Sequence, residues 1–548
     1  MFKSFIALLF FLILFAGCDS KSSVSEFPMI VYGEPTFVDK ISDTEEWYDD
    51  ANNDVLEMRV TIPTPNSSFC SPWDNQSALP RPCTLDDINH DIDPNDDYEP
   101  VLNVIMTTDT FFSAVPNATL KIRGDYSRTL QQKSYAIKLY SKTNLFLSQR
   151  KFQINKHQSD RSRVRNKLSF DLFRTIPNIT SLKLQFINLK IDENGTGNFV
   201  DYGFFTHAEA MRKEYLVNRG WNEDDNIYNA VDCMFEPRDE LATDAYGVPL
   251  NQELFDTVLE VKRGTHHLKV NEMINAVYNT ADIDAVIEKY FNRDNYITWL
   301  AINLVLSNKD TTYHNFYLYN PLYSDKFYFL PWDYDGAWAK EKYLGKNEYG
   351  ISVWWESPLH RKFLSIKKNR DDVYAMAEEL RAKYITPEII KDKVALYEPS
   401  VRPFVSVFPD SQNNSDDTWV DSSNQLSENI DANMNLYKSV IGHPMPFREY
   451  VSYENGRLDI NWTESVDLEG DKIVYDVKVA TDSNISNIIL EADNIDALEY
   501  LQDINLASDT YYLQVISKEE QNASHYQIAF DQIDDDGTKY GIVEFEVK

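Results

Sequence analysis

Near the middle of the chain stands Asn308-Lys309-Asp310-Thr311-Thr312-Tyr313-His314-Asn315, followed by Trp332-Asp333-Tyr334-Asp335-Gly336. Carboxylates and an amide in this order suit phosphoryl transfer. That chemistry needs divalent ions across the phosphates, a further cation on the phosphate chain, and a group that takes the proton of the attacking hydroxyl. Asp310 is the candidate for the proton. Asn315 and Asp333 are candidates for Mg²⁺ or Mn²⁺, since such ions favour carboxylate and amide oxygens. Asp335 follows Asp333 by two residues. In an extended backbone the two share a face, so either or both are candidate ligands. Taken singly, Asp310 and Asn315 also read as turn caps.

Neighbouring elements must hold these groups. Ile297, Leu300, Ala301, Leu304 and Val305 recur at helical spacing, so a helix with one buried face leads into the run. Asn315–Tyr319 and Lys326–Leu330 flank the turn-like stretch Pro321–Asp325 and read as a hairpin. The order is helix, loop with Asp and Asn, hairpin, Asp-x-Asp. Upstream, Val101–Met106, Ala118–Arg123 and Ser134–Tyr140 read as strands, and Arg161–Arg174 as a basic helix. Phe186–Ile191 and Phe199–Phe205 pair around Gly195-Thr196-Gly197. Beyond Glu209 the pattern is helical: Glu209–Asn218, Gln252–Val261, Ile283–Phe291, Tyr296–Leu306, Arg370–Tyr384, Pro387–Leu396 and Leu426–Val440. Asp410–Asp421 reads as a polar loop. From about Tyr450, short alternating strands (Leu458–Trp462, Ile473–Ala480, Tyr511–Ser517, His525–Phe530, Tyr540–Val547) predict a β-sandwich.

Four motifs in order, Lys121-Ile122-Arg123-Gly124-Asp125-Tyr126-Ser127-Arg128 with Lys133–Lys138, Arg165-Asn166-Lys167-Leu168, Tyr202–Glu209, and the Asp310 to Gly336 region, resemble the CotH family of spore-coat and surface proteins. Members of that family resemble atypical protein kinases. The resemblance spans about Val101 to Ala339. It departs at Asp125-Tyr126, where a small polar pair is usual, and at Asn229, where Lys is common. It implies an α+β, two-lobed atypical protein-kinase-like fold that uses ATP with Mg²⁺ or Mn²⁺. Asp310 is then catalytic, Asn315, Asp333 and Asp335 hold the metal, and Asp333 ranks first by its place in the motif. The phosphate-binding cation is Lys138, in a Tyr-Ala-Ile-Lys strand, with Lys133 and Arg123 as alternatives. Glu209 either contacts the nucleotide near the hinge or is a charge at a helix N-terminus.

The first residues carry Lys3, an apolar run from Phe5 to Phe15, then Ala16-Gly17-Cys18. The run is too short for a bilayer and reads as a secretory signal. Its end reads as a lipobox, with lipid on Cys18 and a polar tether after it. The expected organisation is a signal over 1–18, a tether over 19–45, a kinase-like region over 46–445 with its β-rich lobe to about 208, and a fibronectin type III-like sandwich over 450–548.

The chain has 53 basic and 87 acidic residues, a net charge of −34. That argues against nucleic acid or anionic lipid as a partner. Val451–Lys548 holds 22 acidic and 6 basic residues. Membrane attachment is expected through the lipid on Cys18, in the bacterial cell envelope, facing the periplasm or exterior. Cys70 and Cys83 flank a Pro-rich loop, and a secreted context permits a bridge between them. Cys233 reads as a buried thiol. Asp91-x-Asp93-x-Asn95 opens like a calcium loop, but Asp96 stands where Gly is needed and Leu102 where a bidentate Glu belongs. It reads as a solvated acidic loop. Trp354-Trp355 reads as core.

Three function classes follow. The first is a protein kinase acting on hydroxyl side chains of surface or secreted proteins. The second is a non-catalytic surface-assembly or adhesion lipoprotein on a kinase-like scaffold. The third is another metal-assisted transferase or hydrolase.

Overall fold

Seven strands open the fold: Val55–Thr61, Leu102–Thr107, Ala118–Ile122, Tyr135–Leu139, Lys151–Asn155, Leu184–Asp192 and Val200–Glu209. They close into a barrel through a parallel pairing of the first strand with Leu184–Asp192. Leu102–Thr107 and Ala118–Ile122 bury every second residue, as a sheet with one packed face requires. Val60, Val104, Leu120, Ile137 and Phe152 fill the interior. This computed structural model describes residues 53–338 and 353–548 except 95 and 534–538, together with 41, 43 and 45–48. The expected lipid attachment at Cys18 and the tether lie outside the described residues.

A four-stranded sheet follows, ordered Leu259–Arg263, Asn226–Ala230, Phe316–Asn320, Tyr328–Pro331. Its last two strands are the expected hairpin, with Tyr317 opposite Leu330. Helix Arg293–Val305 begins at Asn292, whose side chain accepts from Asn295 N–H. It was expected to bury one face, but every residue from Asn295 to Val305 is buried. Helices Lys367–Lys383 and Asp416–Ile441 and the hairpin enclose it. Among the described residues no helix is long and apolar enough to cross a membrane.

The final region holds two sheets, Glu449–Glu454, Arg457–Trp462 and Glu499–Asp503 in one, and Ile488–Ile495, Ile473–Ala480, Asp509–Glu519 and Tyr526–Ile528 in the other, with Val543–Val547 paired to Asp509–Glu519. Leu458, Ile460 and Trp462 from the first and Val477, Val479 and Leu513 from the second share one apolar core. The described residues together are of the α+β class.

Some expectations fail. Glu209 does not start a helix: it ends strand Val200–Glu209, pairs with Phe152, and the helix runs Lys213–Asn218. Asp410–Asp421 is not a plain loop. Asp410 is buried in ion pairs with Lys156 and Arg163, and Ser415 caps helix Asp416–Ile441. Asp91 is not solvated, because its carboxylate is buried 2.8 Å from Arg128. Helices Leu268–Asn279 and Pro358–Ser365 were not foreseen. Cys70 and Cys83 are bridged, Cys233 is a buried free thiol, and Trp354 and Trp355 lie in the core.

Candidate active site

A cavity of about 660 Å³ separates the mouth of the barrel from the hairpin sheet. Asp310, Asn315, Asp333 and Asp335 all line it, as does Arg123. Lys138, Lys133 and Glu209 do not. Their positions decide the matter. Lys138 is exposed at the far end of its strand, while Ser134 at the near end reaches the cavity. Lys133 donates to the Arg128 carbonyl at 2.6 Å and sits beside a separate small cavity. Glu209 is completely buried, and Arg219 donates to both its oxygens at 3.0 Å. Arg219 also pairs with Asp43 at 2.7 Å, so Glu209 belongs to an internal ion network.

The loop after helix Arg293–Val305 delivers Asp310 half out of the protein, with 58% side-chain exposure. Its two carboxylate oxygens have different partners. His314 Nε2 lies 2.6 Å from one, and Asn315 Nδ2 donates to the other at 2.7 Å. The amide nitrogen is thus committed, which turns the Asn315 carbonyl oxygen away from Asp310. Asn315 holds a φ of 56°, in the left-handed region that Asn tolerates better than most residues.

Asp333 and Asp335 meet differently from the extended arrangement expected. The strand ends at Pro331, and Asp333 has a φ of 54°. A turn therefore joins the carboxyls, and Tyr334 between them is buried. Its ring packs at 4.9 Å on Phe173, and its hydroxyl donates to Asn303 at 2.8 Å. The Asn166 side chain accepts from Tyr334 N–H at 3.3 Å, Arg165 donates to the Asp335 carbonyl at 3.4 Å, and His157 Nδ1 stands 2.9 Å from the Asp335 carboxylate. Helix Arg165–Phe173 is the strap that holds the acidic turn.

Burial and then repulsion from Asp335 push the Asp333 carboxyl up to about 7, and Asp310 adds a smaller repulsion. Burial would raise Asp335 as well, but the His157 ring beside it holds that carboxyl down at about 2. Two carboxyls that repel each other across one turn are a donor set whose repulsion a hard divalent cation would relieve. With Asn315 contributing an amide oxygen, these residues fit Mg²⁺ or Mn²⁺.

Among the described residues, three Lys or Arg side chains face the cavity: Arg123, Lys156 and Lys262. Arg123 donates to Asn155 at 2.6 Å and, by its charge, favours ionisation of Asp333 and Asp335. Lys156 follows strand Lys151–Asn155 directly. It pairs with Asp410 at 3.0 Å, and burial lowers its ammonium to about 8. Lys262 pairs with Glu260 on strand Leu259–Arg263, and burial lowers it too. Gly124 edges the cavity at a φ of 79°, and a Cβ there would meet Ser127 Oγ at 2.2 Å, so the loop above the cavity needs glycine. Sequence reasoning missed His157, Lys156 and Lys262. The run Asn155-Lys156-His157 at a strand end was a usable signal, but the barrel closure that aims it was not legible.

The family model described as CotH kinase protein matches residues 120–437, more than half of the chain. The chain belongs to the CotH family. It is similar to the inner spore coat protein H of Bacillus subtilis (strain 168), with 26% identity over 354 residues, covering 62% of this chain and 91% of that protein. Membership makes it a kinase-like protein of a family associated with ATP and divalent metal. The matched stretch contains every cavity residue named above.

Proposed function

We propose that the chain is an ATP- and Mg²⁺- or Mn²⁺-dependent protein kinase of the CotH type. Its acceptors are hydroxyl side chains of surface or secreted proteins. The observation that carries this reading is the convergence of Asp310, Asn315, Asp333 and Asp335 on one cavity that also presents Arg123, Lys156 and Lys262. Carboxylates for metal, cations for phosphate and a separate exposed carboxylate are the parts phosphoryl transfer needs.

Asp333, Asp335 and the Asn315 carbonyl oxygen hold the metal, which when bound neutralises charge on the transferring phosphoryl group. Arg123 and Lys262 face the phosphate chain. Asp310 takes the proton of the acceptor hydroxyl as its oxygen bonds the γ-phosphorus. The bond from that phosphorus to the bridging oxygen breaks, ADP leaves, and Asp310 returns its proton to water. His314 and Asn315 fix the Asp310 carboxylate for this task.

The barrel and the helical region form the two lobes of an atypical kinase over about 46–445. The two-sheet region over 450–548 is a fibronectin type III-like sandwich that serves as a spacer or binder. Residues 1–18 direct export, and a lipid on Cys18 anchors the protein in the bacterial cell envelope. A spore coat protein among its relatives supports an envelope setting. The same relative supports a second reading, a non-catalytic assembly protein on a kinase-like scaffold.

Nucleotide binding separates the two. A ligand present at about 100 times its dissociation constant adds roughly 2.7 kcal/mol of stability. The kinase reading expects a matching upward shift in melting temperature with ATP and Mg²⁺ or Mn²⁺ together. No shift with any nucleotide leaves the assembly reading.

A further inference from the structure

Asp310 and His314 line a second, smaller cavity as well as the first. It holds about 210 Å³ and opens on the side of Asp310 where Val353, Glu356 and Phe530 stand, with none of the acidic-turn residues in its wall. That volume is below the range of cofactor sites, and it suits a single side chain.

Phe530 does not belong to the region that bears the motifs. It comes from the bend after strand Tyr526–Ile528 in the C-terminal region, yet it packs against the main core that surrounds helix Arg293–Val305. Its backbone N–H donates to the Phe447 carbonyl at 2.7 Å. The Arg448 guanidinium lies 5.8 Å from its ring and also pairs with Glu356. Glu356 is thus held by Arg448, and Val353, the Tyr313 ring and the Phe530 ring form the apolar part of a wall that Lys309 and Thr312 complete. The carbonyl of Leu468, in the loop before strand Ile473–Ala480, accepts from Arg370 at 3.1 Å, and Leu468 packs on the main core too, so the C-terminal region is fixed at more than one point.

In-line transfer sets the direction of approach. The acceptor oxygen must reach phosphorus opposite the leaving oxygen and within reach of the base. Metal and phosphate groups occupy the first cavity, so the acceptor enters past Asp310 from the other side. We propose that the small cavity is an acceptor subsite. It takes an apolar or aromatic side chain next to the hydroxyl-bearing residue of an extended polypeptide, and Phe530 of the C-terminal region completes it. This assignment rests on the phosphotransferase reading.

The test uses the mature full-length chain and a peptide library with a central Ser, Thr or Tyr and varied flanking positions. ATP affinity and ATP hydrolysis to water are measured separately. The parent should select apolar or aromatic residues at one flanking position. Phe530→Ala should raise the peptide KM about tenfold, the equivalent of 1.4 kcal/mol, and erase that selection. Its ATP affinity and hydrolysis should stay within about twofold of the parent. Phe530→Trp, which keeps an aromatic in the wall, should fold and shift the selection toward smaller side chains. Unchanged selection in both variants overturns the subsite, and so does ATP hydrolysis without any peptide phosphorylation. A parent that neither binds nor hydrolyses ATP removes the phosphotransferase reading itself, and the subsite with it.

Discussion

Asn315 donates a 2.7 Å hydrogen bond to the carboxylate of Asp310, so the amide and the exposed carboxylate are tied into one unit. His314 grips the other oxygen, and neither carboxylate oxygen can swing without breaking a bond. The five-residue offset matters for this reason: it closes the loop on itself before the hairpin begins.

The acidic turn yields the first prediction. Asp333→Ala should abolish metal-dependent nucleotide binding, because no neutral side chain replaces a carboxylate ligand. Asp333→Asn should bind no better, although it removes the carboxyl repulsion and should leave the metal-free protein at least as stable as the parent. Thermal melts with and without ATP and Mg²⁺ check both. Damage confined to Asp335→Ala, with Asp333→Ala silent, reverses the order of the ligands.

The cations yield the second. Lys138→Ala should leave ATP affinity within error, since Lys138 is exposed outside the cavity. Arg123→Ala and Lys262→Ala should each weaken ATP by roughly tenfold or more, the scale of a lost charge-assisted hydrogen bond of about 1.5–3 kcal/mol. Calorimetric titration of the three variants decides. A large loss in Lys138→Ala alone returns the phosphate site to the Tyr-Ala-Ile-Lys strand.

Lys138 also marks where sequence stops being legible. Strand alternation correctly puts Ser134, Ala136 and Lys138 on one face. It does not say how far along the strand the cavity lies. Four residues are about 13 Å, enough to carry Lys138 clear of the cavity that Ser134 lines. Asp310, Asn315, Asp333 and Asp335 were legible because a single local unit, helix to hairpin to turn, gathers them. Lys156, His157 and Lys262 were not, because barrel closure and a strand pairing distant in sequence bring them in. The acidic turn was legible in composition but not in conformation, since nothing in Asp-Tyr-Asp announces a left-handed Asp333.

Glu209 supplies a third prediction. Glu209→Ala leaves Arg219 balanced by Asp43 but removes two charge-assisted hydrogen bonds from the buried network, each worth about 1.5–3 kcal/mol. A large drop in denaturant midpoint is expected, with unchanged ATP affinity for the molecules that remain folded. Weaker ATP binding with full stability assigns Glu209 to the nucleotide after all.

Glu449, at the start of the C-terminal sheets, is nearly all buried. One of its oxygens accepts from Val515 N–H at 2.7 Å and the other has no hydrogen-bond partner. Burial, then repulsion from Asp531, holds its carboxyl well above the ordinary glutamate value. An acid raised in the folded state stabilises fully below its unfolded value of 4.5 and loses that contribution as pH climbs toward the folded one. The sheets should therefore melt higher at pH 5 than at pH 8. Glu449→Gln should flatten that slope and gain about 1–3 kcal/mol at pH 8. A slope unaltered by the substitution places the titration elsewhere.

The last prediction separates chemistry from binding at Asp310. Its carboxylate contacts His314 and Asn315 and leans toward solvent, while Asp333 and Asp335 sit deeper with His157. Asp310→Ala should therefore keep ATP and metal affinity largely intact. Transfer to an acceptor should fall about 10²–10⁴-fold, the usual worth of a positioned general base. Asn315→Ala should weaken both, because it removes a metal-facing oxygen and releases Asp310 at once. His314→Ala should lower transfer less than Asp310→Ala does and leave ATP affinity alone, since it frees only one carboxylate oxygen. Parallel measurements of ATP affinity and single-turnover transfer in the three variants give the pattern. If Asp310→Ala transfers phosphate as fast as the parent, the base lies elsewhere, and kinase function rests on family resemblance alone, which does not establish activity.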